Sequence, residues 1–435
     1  MRRLLSAQFL WLATRLGGAA AGLLFQIFLA RILSPSDLGV FFAASSLAAV
    51  LGIVATQGYP SISVRFVSRY AERGKALWLS HFLSWARREI LSVATGVAGL
   101  VMAGALIWPG LAWDTRLAFV YAGFCIPAMA SLTALAALGI AQRRFVAALL
   151  PDLLARPMVL ALFAGSILGL HLQLSASQAV LGFVVVTASI ALLQIRVVGL
   201  APILPRAVTR LARYWRREAW TLLAVMLFTS FFADLAIVSA APFLATADLA
   251  AFALCIKIAM IVGFGVQIAH QILLPDLSDA YARRRLSDTT PVLLKGAPFP
   301  ILFSAFALLG TVMFGKSILS FYGPQFEYAE GPLVLLVSGQ LLRALGGPSQ
   351  HVLTLEGQQR TNLAICIAAC LLLVAGNAVL SKSFGLWGAA IGVTASYCLW
   401  VLASCAALFR GGVQTDLVSV MIKTALRSSD RHVRI

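Results

Sequence analysis

The 435-residue chain is 60% apolar and only 11% charged, with a mean hydropathy of +0.92, whereas soluble domains carry about 25% charged residues. That balance excludes a water-soluble fold, whose surface helices need polar faces that most of these segments lack. The formal net charge of +18 does not indicate nucleic acid, because the basic residues fall in short connections between apolar runs, where membrane topology alone places them.

Many runs of twenty or more residues are apolar around the whole helix circumference, a pattern that only lipid solvates. They do not alternate apolar with polar as barrel strands do; Ala179 to Leu193 is one example. The chain therefore reads as an all-α integral membrane protein, its helices satisfying their own backbone groups.

Met1-Arg2-Arg3 before an apolar run imitates a secretory signal. The run continues to Ile32 with Arg15 in its middle, too long and too interrupted for a cleaved segment, so it reads as the first span. Twelve spans follow the hydropathy, near residues 7–32, 38–58, 90–108, 117–141, 149–170, 178–200, 218–241, 248–274, 297–314, 331–356, 362–381 and 385–409. The third follows an amphipathic stretch, and the ninth is interrupted by Pro298 and Pro300.

With the N-terminus inside, the inner connections hold 26 of the 34 Lys and Arg. Arg31, Arg116, Lys316 and Lys382 are the outer ones, and four more lie within spans. This alternation predicts an even number of spans and cytoplasmic ends. Residues 201–217 carry five arginines and read as a linker between two six-helix bundles, 1–200 and 218–409. The tail, 410–435, has apolar residues at near-helical spacing between Val413 and Thr424 and reads as a surface helix or a disordered segment.

A shift of 211 positions lays Asp37-Leu38-Gly39-Val40-Phe41 on Asp248-Leu249-Ala250-Ala251-Phe252, and Tyr70-Ala71-Glu72-Arg73 on Tyr281-Ala282-Arg283-Arg284. Equal spacing and equal topology predict a parallel duplication. Such repeats place a substrate path between the halves, near the bilayer midplane.

Within the spans the ionisable residues of interest are Arg15, Asp152, Arg156, Asp234, Lys257, Arg343 and Glu356. Each costs at least about 2.5 kcal/mol if it faces lipid, so each should face a cavity or a partner. Arg15 lies about 12 Å from the inner end of its helix. Gln8 and Gln26 share its face, with Gly18 and Gly22 beside them, which describes a cavity lining or a buried hydrogen-bond network. Arg156 pairs with Asp152 one turn earlier, or offers its remaining donors to a ligand. Asp234 and Lys257 lie at similar depth on consecutive antiparallel spans; they form a salt bridge, or Asp234 takes up a proton or ion during transport. Arg343 has no acidic neighbour in its own helix and most needs a functional reason. Glu356 is interfacial and is assigned no role. Cations outnumber anions here, favouring a phosphate or carboxylate substrate.

Three stretches carry a family resemblance: ARILSPSDLGVF from Ala30, LTLEGQQR from Leu353 and FGLWGAAIG from Phe384. In order and spacing they resemble the polysaccharide-transporter branch of the multidrug, oligosaccharidyl-lipid and polysaccharide exporter superfamily. The resemblance implies two six-helix bundles in a V that opens alternately to each side. It also implies a flippase for undecaprenyl-diphosphate-linked oligosaccharides, working beside polysaccharide polymerase and export machinery in the bacterial inner membrane. Cations of a central cavity then hold the diphosphate, and Arg15 falls where related flippases carry a first-helix arginine. The expected substrate contacts are Arg15, Gln26, Arg156, Lys257 and Arg343, with Asp234 as the coupling or gating residue; Arg156, Lys257 and Arg343 match no family motif and are chosen for their place within the spans.

Three rival classes remain, of which a channel or purely structural membrane protein is disfavoured by the duplicated halves and buried charges. A multidrug exporter favours cationic substrates and an acidic cavity. A membrane glycosyltransferase or polymerase needs a catalytic outer loop, and the longest outer connection, 315–330, offers only Glu327 and Glu330. The five histidines have no metal-ligand spacing, no nucleotide-binding glycine loop occurs, and all six cysteines lie inside spans. No metal, cofactor or nucleic-acid partner is expected; membrane lipids are.

Overall fold

The computed structural model describes residues 2–199, 209–282, 296 and 298–410. The tail from 411, the first part of the basic linker (201–208) and the Arg283-Arg284 end of the repeat lie outside the described residues, as does the side chain of Gln8. Among the described residues there is no strand.

In chain order the helices are α1 (Arg2–Ile32), α2 (Pro35–Ala55), α3 (Tyr59–Glu72), α4 (Ala76–Ile107), α5 (Trp113–Ala141), α6 (Phe145–Leu150), α7 (Arg156–Gly169), α8 (Ala176–Val198), α9 (Thr209–Ser230), α10 (Phe232–Ala240), α11 (Thr246–Ala282), α12 (Pro298–Ser320), α13 (Glu330–Leu345), α14 (Ser349–Leu355) and α15 (Gln359–Arg410). A π-helical segment, Pro151–Ala155, joins α6 to α7, and a 3-10 turn, Pro324–Ala329, precedes α13. Among the described residues nine helices are long and apolar enough to cross a membrane, ten if α9 and α10 form one broken span.

At 52 residues α15 would measure about 78 Å, more than twice the hydrocarbon thickness. It folds back on itself at Gly385, whose φ of 53° and ψ of −131° suit a residue without a side chain. Gly376 and Gly392, on either side of the turn, face each other. Dividing α15 at Gly385 and joining α13 to α14 as one broken span fits the twelve spans of the sequence. The repeat is visible in the helix starts: Pro35 and Thr246 open α2 and α11, 211 positions apart, and Trp113 and Pro324 are separated by the same interval.

The starts have local causes. The Asp37 amide donates to Ser34 Oγ at 3.1 Å, capping α2, and Pro35 follows in the first turn, where its missing amide costs nothing. At α8 Ser175 and Gln178 cap each other reciprocally. Pro298 and Pro300 do not interrupt the ninth span; they lie in the first turn of α12 for the same reason as Pro35.

The chain divides into two compact units, Met1–Val238 with Ala245–Ala250, and Ser239–Leu244 with Ala251–Ile435. In the first, α2 is buried almost all around, its interior face built from Leu38, Phe41, Ala44, Ala48 and Ile53. In the second, α11 is buried from Ala251 to Ile256. Small side chains let neighbouring backbones approach where no hydrophobic force draws helices together in lipid.

The first unit also holds α9, whose start, Thr209–Arg217, falls in the basic linker of the sequence division and whose remainder, 218–230, falls in its second bundle. The reason is Trp215: it is fully buried, its ring lies 5.2 Å from those of Phe82 and Trp85, and its Nε1 donates to the Tyr70 hydroxyl at 3.1 Å. Arg216 pairs with Glu89 at 2.8 Å and Arg65 with Glu218 at 2.5 Å, tying α9 to α3 and α4. At the opposite end Asp114 accepts from Ser175 Oγ at 2.8 Å and from the Ser177 amide at 3.1 Å, pinning α5 to the start of α8.

The tightest approach lies between α1 and the π-helical segment. A Cβ on Gly18 would come within 1.7 Å of the Leu153 carbonyl oxygen. Gly96, exposed on α4, has nothing within 4 Å of its Cβ position. Gly18→Leu should therefore abolish the monodisperse protein peak in detergent, while Gly96→Leu should leave yield and melting temperature close to those of the wild type.

Candidate functional site

In the first unit α1 and α7 run in parallel and in register. Gly18 meets Leu153, Gly22 meets Pro157, and Phe28 meets Gly165. The small residues beside Arg15 therefore form a helix contact, not a cavity wall. The register brings Arg15 level with Leu150, within a turn of Asp152, so the cation of the first span and the charged pair of the fifth share one seam. Arg15 is half-buried and Thr14 beside it is buried; Gln26 is half-buried two turns beyond Gly18.

The charged pair is present in the structure. Arg156 Nη2 lies 3.0 Å from Asp152 Oδ1, one turn back across the π-helical segment. Its Nη1 approaches the Met129 sulfur of α5 at 3.3 Å. The π geometry follows from the sequence: Pro151 and Pro157 flank the stretch, and the Arg156 amide bonds the Pro151 carbonyl five residues back. Single π turns recur at functional sites because they re-aim the side chains that follow. Here the turn directs Arg156 toward α5, with 23% of its side chain still exposed.

Asp234 stands in the first turn of α10, just past the break at Phe231, where the helix dipole favours a negative charge. Its Oδ1 accepts from Ser46 Oγ of α2 at 2.9 Å. Ser46 is 1% exposed and was not marked by the sequence, since a lone serine in an apolar helix is ordinary filler.

In the second unit Lys257 is half-buried on α11, next to the fully buried Cys255 and Ile256. Arg343 is held in a cage. Its Nη1 bonds Gln340 Oε1 at 2.9 Å, and its guanidinium carbon lies 5.2 Å from the Tyr397 ring and 5.8 Å from Trp400. A side chain at position 263 of α11 would collide with Gln340 and press on Arg343, so the glycine there admits both. Among the described residues no carboxylate pairs with Arg343. His270, 9% exposed on α11, lies within electrostatic range of Arg343 and of His351. Its Nε2 has no hydrogen-bond partner among the described residues.

The cage was not legible beforehand. Gln340 is one turn from Arg343 and could have been flagged, but Tyr397 and Trp400 lie on a distant part of the chain and meet it only through tertiary packing. Glu356 ends α14 beside Gly357 and joins neither group. The six cysteines are all free, and among the described residues no cluster of metal-ligating side chains occurs.

Neither protein-family models nor the sequences of curated proteins match this chain. Solved structures do. The lipid II flippase MurJ, in an inward closed conformation, superposes with a TM-score of 0.75 at 12% identity, over 96% of this chain and 91% of the other. An inward-facing multidrug resistance MATE family transporter of the MOP superfamily gives 0.69 at 12% identity, over 93% and 95%. The MATE multidrug transporter DinF-BH, solved with a bound ligand, gives 0.56 at 16%, over 91% and 93%. At these identities the likeness establishes the fold alone, that of a multi-pass helical membrane protein.

A double-mutant cycle tests the seam. Asp152→Asn leaves a partly buried cation without its partner and should lower detergent stability more than Arg156→Gln combined with it. The coupling energy from thermal unfolding should fall at about 0.5–3 kcal/mol.

Proposed function

We propose that the protein is a flippase or exporter that moves an undecaprenyl-diphosphate-linked oligosaccharide across the bacterial inner membrane by alternating access. The observation that carries this reading is Arg343: a guanidinium within a membrane span, steadied by Gln340 and two aromatic rings, with no carboxylate partner among the described residues. Holding a cation there is costly unless an anion visits it. A diphosphate suits it, because the planar fork binds phosphate oxygens two at a time while its faces stay stacked. Arg15 and Lys257 add cations at other depths, with Gln26 as a sugar hydrogen-bonding partner. Arg156 keeps donors to spare beyond Asp152. The fold shared with a lipid II flippase supports a lipid-linked substrate.

A second reading is supported by Asp234 and by the MATE structures. A carboxylate that accepts from a neutral hydroxyl, Ser46, suits a coupling proton or sodium ion, and it also suits a cationic drug. In the first reading Asp234 couples or gates transport of the anion; in the second it contacts the cargo.

Deleting the gene should remove surface polysaccharide and trap polyprenyl-diphosphate-linked repeat units on the cytoplasmic leaflet. Complementation with Arg343→Ala or Arg343→Lys should restore less than roughly a tenth of wild-type export, since lysine keeps the charge but loses the fork and the stacking. Unchanged polysaccharide with raised sensitivity to cationic dyes would transfer the assignment to drug export.

A further inference from the structure

The first unit also carries a pocket away from every charged residue assigned above. It opens between α3, α4, α5 and the end of α8, with a volume of about 150 Å³. Its walls are Leu83, Ala86, Ile90 and Leu91 of α4, with Leu135 and Leu138 of α5. A volume of that size accommodates a hydrocarbon segment of about six carbons. Its polar lining is confined to Ser63, Ser131, Gly199 and the Arg87 side chain.

The helices fix the depth of each part. Arg87 precedes the far end of α4, Ile107, by about twenty residues, or about 30 Å, which is the thickness of the hydrocarbon layer. Arg87 therefore stands at one edge of that layer, with Ile90 and Leu91 one turn deeper. Gly199, at the end of α8, marks the same edge. On the topology that the basic connections predict, this is the inner leaflet, whose lipids are partly anionic.

The surroundings match that leaflet. Along α3 and the start of α4, basic residues outnumber Glu72 and Glu89, and Glu89 is engaged by Arg216. Trp78 is 44% exposed and Leu77 65%, and the Lys75 ammonium lies 5.8 Å from the Trp78 ring, an arrangement suited to the headgroup zone. An apolar slot that opens beside a cation at headgroup depth fits a lipid better than a soluble anion, which would leave the slot empty.

We propose that this pocket binds one anionic diacyl phospholipid of the inner leaflet, its phosphate at Arg87 and the first carbons of one acyl chain in the slot. The lipid fastens α3 and α4 to α5 and α8, beside the elements that hold the buried Trp215. The proposal is independent of what the protein transports.

Native mass spectrometry of the full-length protein in mild detergent, titrated with phosphatidylglycerol and phosphatidylethanolamine of identical chains, tests it. One phosphatidylglycerol should bind at least tenfold more tightly than phosphatidylethanolamine. Arg87→Gln should bring the two within twofold, and Ala134→Phe, which fills the slot, should remove both. Arg69→Gln, outside the lining, should leave the tenfold preference intact. Equal binding of the two lipids by wild type, or a preference that survives Arg87→Gln, would overturn the site. Retention of a polyprenyl phosphate in place of phosphatidylglycerol would also overturn it, by assigning the pocket to a transported lipid. Because Arg87→Gln changes only a side chain at the rim, its result decides the matter even if Ala134→Phe fails to fold.

Discussion

A backbone amide in hydrocarbon finds no water to bond, and the architecture of this chain depends on that fact. Helices satisfy the requirement within each span, so the informative places are those where the helix is broken. Four stand out among the described residues: the π turn at Pro151–Ala155, the break at Phe231, the Gly346-Gly347-Pro348 interval before α14, and the reversal at Gly385. The first three lie within spans and sit beside charged or polar residues, Asp152 and Arg156, Asp234, and Arg343 with His351. A broken helix frees backbone groups and re-aims side chains, and both changes are tolerated in lipid only where protein surrounds them.

The cations obey a related constraint. Desolvating a guanidinium requires compensation, and the two units supply it differently. In the first, Asp152 neutralises Arg156 across one helical turn, and a thioether takes another of its donors. In the second, Arg343 receives an amide oxygen and two ring faces, none of which carries a full charge. The first arrangement holds a structure together. The second leaves the guanidinium, among the described residues, without a carboxylate partner.

At the basic end of the first unit the compensation is aromatic and ionic together. Trp215 fills the space among Phe82, Trp85 and Tyr70, while Arg65–Glu218 and Arg216–Glu89 close the edges. This end joins α3, α4 and α9 through side chains far apart in sequence. Exposed ion pairs alone contribute little; the buried indole gives the contact its strength.

The amino-acid sequence by itself determined the solvent, the helical class and the 211-residue interval, because hydropathy and charge alternation are properties of consecutive residues. It also determined the Asp152–Arg156 pair, since both partners lie a turn apart on one stretch of helix. Only the tertiary structure decided what meets the isolated charges. Gly18 and Gly22 turned out to face the π turn and the start of α7; Ser46 was brought to Asp234; Tyr397 and Trp400 were stacked on Arg343; and α9 joined the first unit through Trp215. Each of these depends on which faces of distant helices come together, and in lipid that choice rests on close packing of small residues, which leaves no periodic signature in an already apolar chain.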